Sequence, residues 1–333
     1  MDTGQSTHWQ PYVMMTTVAP RDEVRLIARV ARLYYESGLK QPEIAQRLQL
    51  SQPKVSRLLK QALDRDIVRI TVRVPIGVHA ELEEALEAKY GLSEAVVVET
   101  SAIDETQLMR DLGHAAAYHL ETTIRPGEVI GISSWSATLL AMVNAMHPVT
   151  GSDNIRVVQI LGGVGNPAAE VHATQITGRL ADLLSGEPIL LPVPGVVGSP
   201  EAREVLAGDE HVQRALKLFP DITVALVGIG TVQPSPLLAR SGNVFSDDEL
   251  TLVTRAGGVG DICLRFFDQH GQPTTTELDG RVIGLTLDQL QQIPRSIAVA
   301  GGERKTTAIK GALTGNLVSH LITDRATATR LLD

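Results

Sequence analysis

Residues 41–64 have the sequence QPEIAQRLQLSQPKVSRLLKQALD. Apolar residues recur every three or four positions on both sides of Gln49-Leu50, so the spacing predicts two helices joined by a tight turn. The first is expected to begin at Gln41-Pro42, since proline at a helix start loses no hydrogen bond, and the second after Ser51, a preferred N-cap. The second helix is expected to bury one stripe, formed by Val55, Leu58, Leu59, Ala62 and Leu63.

The flanking residues complete a small domain. A helix is predicted from Arg21 to Ser37-Gly38, a typical helix C-terminus, with its apolar positions at Val24, Ile27, Ala28, Ala31, Leu33 and Tyr34. The alternating run from Ile67 to Val74, closed by Pro75, predicts a short strand or wing. Helix, tight turn, helix is the layout of a helix-turn-helix domain, predicted at 21–75 behind a mobile tail at 1–20.

The polar residues opposite the apolar stripe of the second helix have side chains that can bind DNA. Arg57 is expected to bond guanine bidentately, Gln52 can do the same for adenine, and Lys54 and Lys60 are expected to contact phosphates. The predicted DNA-contact residues are Gln41, Ser51, Gln52, Lys54, Ser56, Arg57 and Lys60. The alternative is a solvated helix face used for protein contacts.

The charge distribution supports a polyanion partner for this domain alone. Residues 1–75 carry 12 Lys/Arg against 7 Asp/Glu, whereas residues 76–333 carry 18 against 31. With 43% hydrophobic residues the 333-residue chain can bury a core, and its longest apolar runs are far shorter than the roughly 20 residues that span a bilayer. A single cysteine, Cys263, and no recognisable signal peptide predict a cytoplasmic protein.

The rest of the chain alternates strand and helix patterns. A connecting helix is predicted at 76–92, followed by an effector domain at 93–333. Strands are predicted at Ala95–Val98, Val129–Ile132, Ile155–Leu161, Ile189–Val193, Ile222–Ile229, Ile262–Phe267, Val282–Leu285 and Ile297–Ala300, and helices at 104–122, 135–146, 168–184, 246–256 and 303–314. Nearly continuous Val/Ile/Leu strands predict an α/β fold with a doubly wound, mostly parallel sheet covered by helices on both faces.

Three strand-to-helix turns are candidates for an anion site, because helix N-termini there offer free N–H groups. The turns are 131–138, 161–165 and 301–305. Their candidate effector contacts are Ser133, Ser134, Trp135, Ser136, Thr138, Gly162, Gly163 and Lys305. Serine N-capping and tight glycine packing are the plain alternatives for the first two turns, and a solvated lysine for the third.

Further candidates lie on neighbouring segments. Asp261 could accept hydrogen bonds from sugar hydroxyls or simply form a turn, and Gly228 and Gly230 are expected to line the same end of the sheet. A second group on one predicted helix, with a weaker case for reaching the pocket, is His172, Gln175 and Arg179. The histidine spacing predicts no metal site, and no nucleotide-binding loop or nucleophile elbow appears in a fitting context.

Motifs in this order resemble SorC-type sugar-operon regulators over about residues 24–330. The residues that carry the resemblance are Leu33-Tyr34-Tyr35, Gly38-Leu39, Glu43-Ile44-Ala45, Leu50-Ser51, Val55-Ser56-Arg57-Leu58-Leu59, Leu161-Gly162-Gly163, Gly228-Ile229-Gly230, Gly260-Asp261-Ile262, Phe267-Asp268, Val282-Ile283-Gly284 and Ala300-Gly301-Gly302-Glu303-Arg304-Lys305. The resemblance implies an effector domain similar to glucosamine-6-phosphate deaminase and ribose-5-phosphate isomerase, tetramers, phosphosugar effectors and a ligand contact for Lys305. Ser136 departs from the family, which usually has glycine after the tryptophan.

These observations predict a transcriptional regulator of a carbohydrate operon. Its expected partners are operator DNA, a sugar or phosphosugar effector and copies of itself, without a cofactor, metal or membrane. The alternative is a sugar-phosphate isomerase or deaminase fused to an interaction module. For that enzyme the sequence offers only Asp261 as an acid or base, without a convincing partner.

Overall fold

The computed structural model describes residues 21–65, 67–68, 79–100, 104–151, 153–274 and 277–333, without the side chains of 21–22 and 167–174. The chain divides into two compact units, Met1–Arg73 and Val74–Asp333. The predicted tail at 1–20 and nearly all of the predicted wing lie outside the described residues, as does the side chain of His172.

The described part of the first unit contains three helices, α1 (Arg21–Tyr35), α2 (Gln41–Leu48) and α3 (Gln52–Asp64). Gln49 ends α2 in the left-handed region with φ 54°, which turns the chain within three residues into α3. Ser51 occupies the N-cap position of α3, as predicted, but its side chain makes no capping hydrogen bond. The two helix starts are therefore confirmed, while the serine contributes its backbone geometry rather than its hydroxyl.

The core of this unit is smaller than predicted. Its buried residues are Ile27, Val30, Ala31, Ile44, Ala45, Val55, Leu58, Leu59 and Ala62. The predicted burial of Leu63 is wrong, since this side chain is 42% exposed, and two apolar positions of α1, Val24 and Tyr34, are 39% and 37% exposed. Each lies at the margin of an apolar stripe, where helical spacing alone does not separate the buried face from its edge.

The second unit is an α/β fold. Its strands are β1 (Glu94–Val98), β2 (Val129–Ile132), β3 (Arg156–Gln159), β4 (Glu187–Ile189), β5 (Val224–Val227), β6 (Gly230–Thr231), β7 (Gly258–Ile262), β8 (Arg265–Asp268), β9 (Arg295–Val299) and β10 (His320–Asp324). Its helices are α4 (Ala80–Tyr90), α5 (Glu105–Thr123), α6 (Ala137–Ala145), α7 (Pro167–Leu183), α8 (Pro200–Ala207), α9 (Glu210–Leu216), α10 (Pro236–Ser241), α11 (Asp247–Arg255), α12 (Leu287–Gln292), α13 (Thr306–Thr314) and α14 (Arg325–Leu332).

Seven strands form one parallel sheet in the order β1-β10-β9-β5-β2-β3-β4. Successive residues of its strands enter two different cores, because side chains alternate across a sheet. In β5, for example, Val224 and Leu226 join the core that contains α5, α6 and α7, whereas Ala225 and Val227 join the other. Both faces are thus buried, which confirms the mostly parallel α/β prediction.

The edge strand β1 is closed by a helix. Glu87 and Glu83 of α4 accept hydrogen bonds through Oε1 from the N–H groups of Ala95 and Val97, each at 2.9 Å. The carboxylates satisfy backbone donors that an edge strand would otherwise expose. Helix α4 is consequently part of the second unit's architecture.

The prediction of a strand at Ile262–Phe267 is wrong. The segment contains the turn of an antiparallel hairpin, β7–β8, that forms a three-stranded sheet with β6. Cys263 and Leu264 form its two-residue loop with φ 53° and 62°, the left-handed geometry of a type I′ turn. Cysteine and leucine rarely adopt that conformation, so the sequence shows no turn signal here. The apolar run therefore looks like one buried strand.

Two other strand predictions fail because the segments pair only locally. Val282–Leu285 makes isolated bridges to Leu161 and Val196, and the observed β4 shares only Ile189 with the predicted Ile189–Val193. In contrast, β10 was not predicted at all. Its polar members His320, Thr323 and Asp324 are buried, which the hydropathy pattern does not anticipate.

Candidate functional site

The strand order changes direction between β2 and β5. The chain proceeds from β2 outward to β3 and β4, and from β5 in the opposite direction to β9 and β10. Segments leaving the carboxyl ends of such neighbouring strands diverge and open a crevice, where α/β proteins bind ligands. The turns after β2, β5 and β9 contain most of the candidate effector residues.

The turn after β2 is held by its own side chains. Ser134 Oγ donates to the Leu161 carbonyl at 2.7 Å, and Trp135 Nε1 donates to the Gly162 carbonyl at 3.0 Å. The buried Gln159 donates through Nε2 to Ser134 Oγ at 2.8 Å and accepts the Leu191 N–H. These polar groups are therefore committed to joining the turns after β2 and β3. Gln159 was not predicted from the sequence, because a single glutamine within a strand matches no functional motif.

The glycines after β3 also have internal partners. The Gly162 N–H donates to the Ile283 carbonyl at 3.0 Å and that of Gly163 to the Leu191 carbonyl at 3.5 Å. A Cβ on Gly162 would lie 2.5 Å from the carbonyl carbon of Pro194. The backbone approach that demands glycine here is to another loop of the same unit, as the packing alternative predicted.

Ser136 is the more accessible serine of the first turn. It occupies the N-cap of α6, where its Oγ accepts the Leu139 N–H at 3.2 Å, while Ser133 and Thr138 are buried. A Cβ on Gly228 would lie 2.9 Å from Ser136 Oγ, so the turns after β2 and β5 meet at this point. Ser136 and Gly228 both retain partial exposure at the carboxyl end of the sheet.

Asp261 lies over Gly230. The two residues are paired across β6 and β7, and a Cβ on Gly230 would collide with the Asp261 carboxylate. Asp261 is the fourth residue of β7, whereas the predicted strand began after it, at Ile262. Its Oδ2 accepts the Leu264 N–H at 3.0 Å, which links it to the left-handed hairpin turn. Gly230 is thus required for the carboxylate to occupy this position.

Lys305 brings a positive charge to the same place. It ends the 3₁₀ turn Glu303–Lys305 and is the N-cap of α13, and β6 packs against that turn. Burial raises the pKa of Asp261 to about 6, while the Leu264 hydrogen bond and the nearby Lys305 oppose the rise. Burial lowers the pKa of Lys305, and Asp261 and Glu105 oppose this shift. Asp261 and Lys305 therefore stabilise each other's charged forms.

Cys263, beside Asp261 in sequence, is a buried free cysteine. Burial raises the pKa of its thiol to about 12, against the lowering effect of a hydrogen bond with the Ser133 side chain. A thiol with this pKa is protonated at neutral pH and is no nucleophile. Ser133 therefore contacts the hairpin turn, and its contact with a ligand stays a prediction.

The loop Gly301–Gly302 completes the arrangement through a residue that the sequence did not single out. Asp324 ends β10 and caps α14, and its Oδ2 accepts the Gly302 N–H at 2.9 Å. Gly302 has φ 94°, which disfavours other residues. We call Ser136, Gly228, Gly230, Asp261 and Lys305 the carboxyl-end site. Among the residues that the structure describes, no acidic, histidine or cysteine group has the arrangement of a metal site.

The predicted DNA contacts lie on the other unit. Ser51, Gln52, Lys54, Ser56, Arg57 and Lys60 are all exposed, and Gln41 is half-buried at the start of α2. The Arg57 Nε donates to the Pro53 carbonyl at 3.4 Å, which leaves most of the guanidinium donors to solvent. The exposed groups of α3 lie opposite its buried stripe and present a basic, hydrogen-bonding surface.

Comparisons with known proteins extend over both units. The family described as "Putative sugar-binding domain" matches residues 74–333. The deoxyribonucleoside regulator of Bacillus subtilis (strain 168) is 35% identical over 315 residues, covering 94% of this chain and 99% of the relative. The sorbitol operon regulator of Klebsiella pneumoniae is 31% identical, with 93% and 98% covered. The crystal structure of full-length SorC from Klebsiella pneumoniae has a TM-score of 0.70 at 30% identity, covering 94% of this chain and 100% of that one.

Proposed function

Because this chain belongs to the SorC-type family of sugar-binding transcriptional regulators, we propose that it controls a carbohydrate operon by binding operator DNA under the control of a small effector. The relatives named above regulate deoxyribonucleoside and sorbitol genes, and we extend that class of role to this chain. A cytoplasmic location is part of the proposal, since operator DNA lies there. Within the described residues, no helix is long and apolar enough to cross a membrane.

The observation that carries the effector proposal is the convergence of Asp261 and Lys305 at the change in strand order. Lys305 supplies a cation for a phosphate, and Asp261 supplies carboxylate oxygens for hydroxyl groups. Ser136 and the backbone beside Gly228 add a hydroxyl and a surface without side chains. This combination suits a phosphorylated sugar or sugar alcohol, because the phosphate group pairs with a cation and the hydroxyl groups donate to a carboxylate.

The DNA-binding proposal rests on α3. Its exposed face combines Arg57 and Gln52, which can read base edges, with Lys54 and Lys60, which can neutralise phosphates. Helices α2 and α3, joined by a tight turn, support the helix-turn-helix prediction, and we propose that the contact set includes Gln41, Ser51 and Ser56. We also propose a homo-oligomer, a tetramer by analogy with the family, since paired reading heads match repeated half-sites.

A regulator is favoured over an enzyme of sugar-phosphate isomerisation or deamination. The carboxyl-end site contains one carboxylate, whose Oδ2 accepts a backbone N–H, and a lysine electrostatically paired with it. Catalysis at adjacent sugar carbons requires a positioned acid and base that exchange protons with substrate. We therefore assign Asp261 and Lys305 to recognition, and we propose that ligand is bound without turnover.

The effector half is tested by thermal melting of the full chain with 2-deoxyribose, 2-deoxyribose 5-phosphate, sorbitol and sorbitol 6-phosphate. A ligand at a hundredfold excess over its Kd adds about 2.7 kcal/mol, which raises the Tm by several degrees. We expect a phosphorylated compound to raise the Tm and Lys305→Met to abolish the rise, with Lys310→Met, an exposed lysine of α13, as the matched control. A response only to free sugars, or one retained in Lys305→Met, contradicts the phosphate assignment.

The DNA half is tested by selecting bound duplexes from a random library and measuring their affinity. Arg57→Ala is expected to abolish preference for the selected sequence, while Lys60→Ala lowers affinity for all duplexes and reduces its salt dependence. Equal sequence preference in Arg57→Ala and the wild type would refute the assignment of α3 as the reading helix.

A further inference from the structure

Helix α14 is bonded to the glycine loop beside the carboxyl-end site and to helix α4. We propose that α14 transmits ligand binding at the Gly301–Lys305 loop to α4, which begins at Ala80, shortly after the boundary between the two units at Arg73 and Val74. The inference rests on the proposed function, because it takes this loop as part of the ligand site.

The first turn of α14 holds the loop. Asp324 Oδ2 accepts hydrogen bonds from the Gly302 N–H at 2.9 Å and from Thr327 Oγ1 at 2.6 Å. Thr327 Oγ1 also accepts the Gly302 N–H, at 2.8 Å. Asp324 is 3% exposed and Thr327 is fully buried, so water does not readily replace these partners. A ligand that displaces Gly302 must break buried bonds or carry the start of α14 with it.

A second contact joins the same loop to the end of α14. Arg330 lies 3.6 Å from Glu303, which belongs to the 3₁₀ turn that presents Lys305. This ion pair is solvent-exposed and contributes little stability by itself. It does, however, place both ends of α14 in contact with the segment on which the candidate phosphate ligand Lys305 lies.

The C-terminal end of α14 is hydrogen-bonded to α4. Lys89 Nζ donates to the carbonyl groups of Leu331 and Leu332 at 2.9 and 2.8 Å, and Tyr90 Oη donates to Leu331 at 2.6 Å. These carbonyls lie in the last turn of α14, where carbonyl groups have no partner within the helix. The side chains of α4 therefore complete the hydrogen bonding of α14.

The starts of the two helices are also linked. Glu99 Oε2 lies 2.9 Å from His79 Nε2, at the N-cap of α4, and 3.5 Å from Arg325 Nη1, at the start of α14. The helices pack on each other, and Leu86 and Leu331 are fully buried in one core. Because packed interiors shift as units, a displacement of α14 is expected to reach α4.

The proposal is tested in the full chain with Lys89→Met/Tyr90→Phe, which keeps the aliphatic stem and the ring but removes three hydrogen bonds to α14. The matched control is Lys217→Met, which removes an exposed lysine after α9. Amide hydrogen exchange is measured with inorganic phosphate and with 2-deoxyribose 5-phosphate, against chloride at equal ionic strength. Peptides covering residues 301–305 report the ligand loop, and peptides covering 80–90 report α4.

In the wild type and in Lys217→Met, we expect ligand to slow exchange in both segments. In the double variant, ligand should still slow exchange in residues 301–305. The ligand-induced slowing in residues 80–90 should fall by about fivefold or more, a factor at the lower end of measured allosteric couplings. Asp324→Asn, which preserves an N-cap but weakens the hold on Gly302, should likewise separate the two responses and provides the test if the double variant does not fold.

The outcomes distinguish the two proposals. Protection of 80–90 that persists in the folded variants overturns the role of α14. That role is also excluded if wild-type 301–305 is protected and 80–90 is not, and the proposed function then stands. If neither ligand protects 301–305, the ligand site is wrong and the inference falls with it.

Discussion

Asp261→Asn is expected to change how the stability of the second unit depends on pH. The carboxyl has an ordinary pKa of 3.8 and a pKa of about 6 in the folded protein, because burial penalises its charge more than Leu264 and Lys305 stabilise it. A group with a raised folded pKa stabilises the fold fully below the unfolded pKa, and this contribution is lost as the pH rises through the folded value. The wild type therefore loses stability from this group between about pH 4 and pH 7.

The magnitude follows from the size of the shift. About two pKa units correspond to about 3 kcal/mol in full, of which about 2 kcal/mol disappears between pH 4.5 and pH 7.5. Asparagine keeps an acceptor for the Leu264 N–H but does not titrate. The difference in unfolding free energy, wild type minus Asp261→Asn, should therefore fall by about 2 kcal/mol across this interval.

The measurement is urea unfolding at several pH values, followed by Trp135 fluorescence in a Trp9→Phe background so that one tryptophan of the second unit reports. Lys305→Met is the informative companion, because removal of the cation raises the pKa of Asp261 further and moves the loss of stability to higher pH. Parallel pH profiles for the wild type and Asp261→Asn would refute the reasoning.

Three other substitutions probe separate features. Trp135→Phe leaves the buried Gly162 carbonyl without its donor and should cost about 1–3 kcal/mol, seen as a Tm lower by several degrees; an unchanged Tm would show that the bond is replaced. Gly228→Ala places a Cβ 2.9 Å from Ser136 Oγ and should reduce the ligand-induced Tm rise more than the Tm of the free protein; an equal loss in both would make Gly228 purely structural. Burial lowers the pKa of His320, so its stabilising effect is lost as the pH falls below the unfolded value of 6.5. His320→Gln should then be less sensitive to acid between pH 6.5 and 5 in urea unfolding, and equal sensitivity would exclude this histidine as the cause.

The parts of the fold that follow a regular period could be predicted from the sequence. The spacing of Val55, Leu58, Leu59 and Ala62 predicts one buried helix face. The apolar runs at 129–132 and 224–227 are typical of buried strands. The hairpin at 258–268 could not be predicted, because Cys263 and Leu264 occupy left-handed positions that glycine or asparagine normally marks. Strand β10 was not predicted, because Thr323 and Asp324 are polar and are buried only by residues that are distant in the sequence.

The candidate site residues likewise divide into those that a local sequence pattern marks and those that depend on distant residues. Glycine-rich turns after strands predicted Gly228, Gly230 and Lys305 as candidates, since a parallel sheet brings the carboxyl ends of its strands to one edge. Which donors remain available there depends on partners far away in sequence. The Ser134 hydroxyl, the Trp135 Nε1 and the Gly162 N–H are bonded to other loops, and no local pattern reveals this. Asp324 escaped notice because its role requires β10 and the loop after β9 to be neighbours.

Because these groups are bonded to other loops, the proposed effector recognition rests on the opposite charges of Lys305 and Asp261, which influence each other. An anion bound to Lys305 brings negative charge near Asp261 and raises the pKa of that carboxyl above its value of about 6 in the free protein. Near pH 6.5, where the free carboxyl is largely ionised, Asp261 should therefore take up a fraction of a proton on binding. A phosphate monoester also titrates at about pH 6, so calorimetry in buffers of different ionisation enthalpy compares the net proton exchange of the wild type with that of Asp261→Asn, and the wild type should take up more protons. Equal proton exchange in the two proteins would mean that the anion lies away from Lys305, because a charge beside that lysine cannot avoid acting on its neighbouring carboxylate.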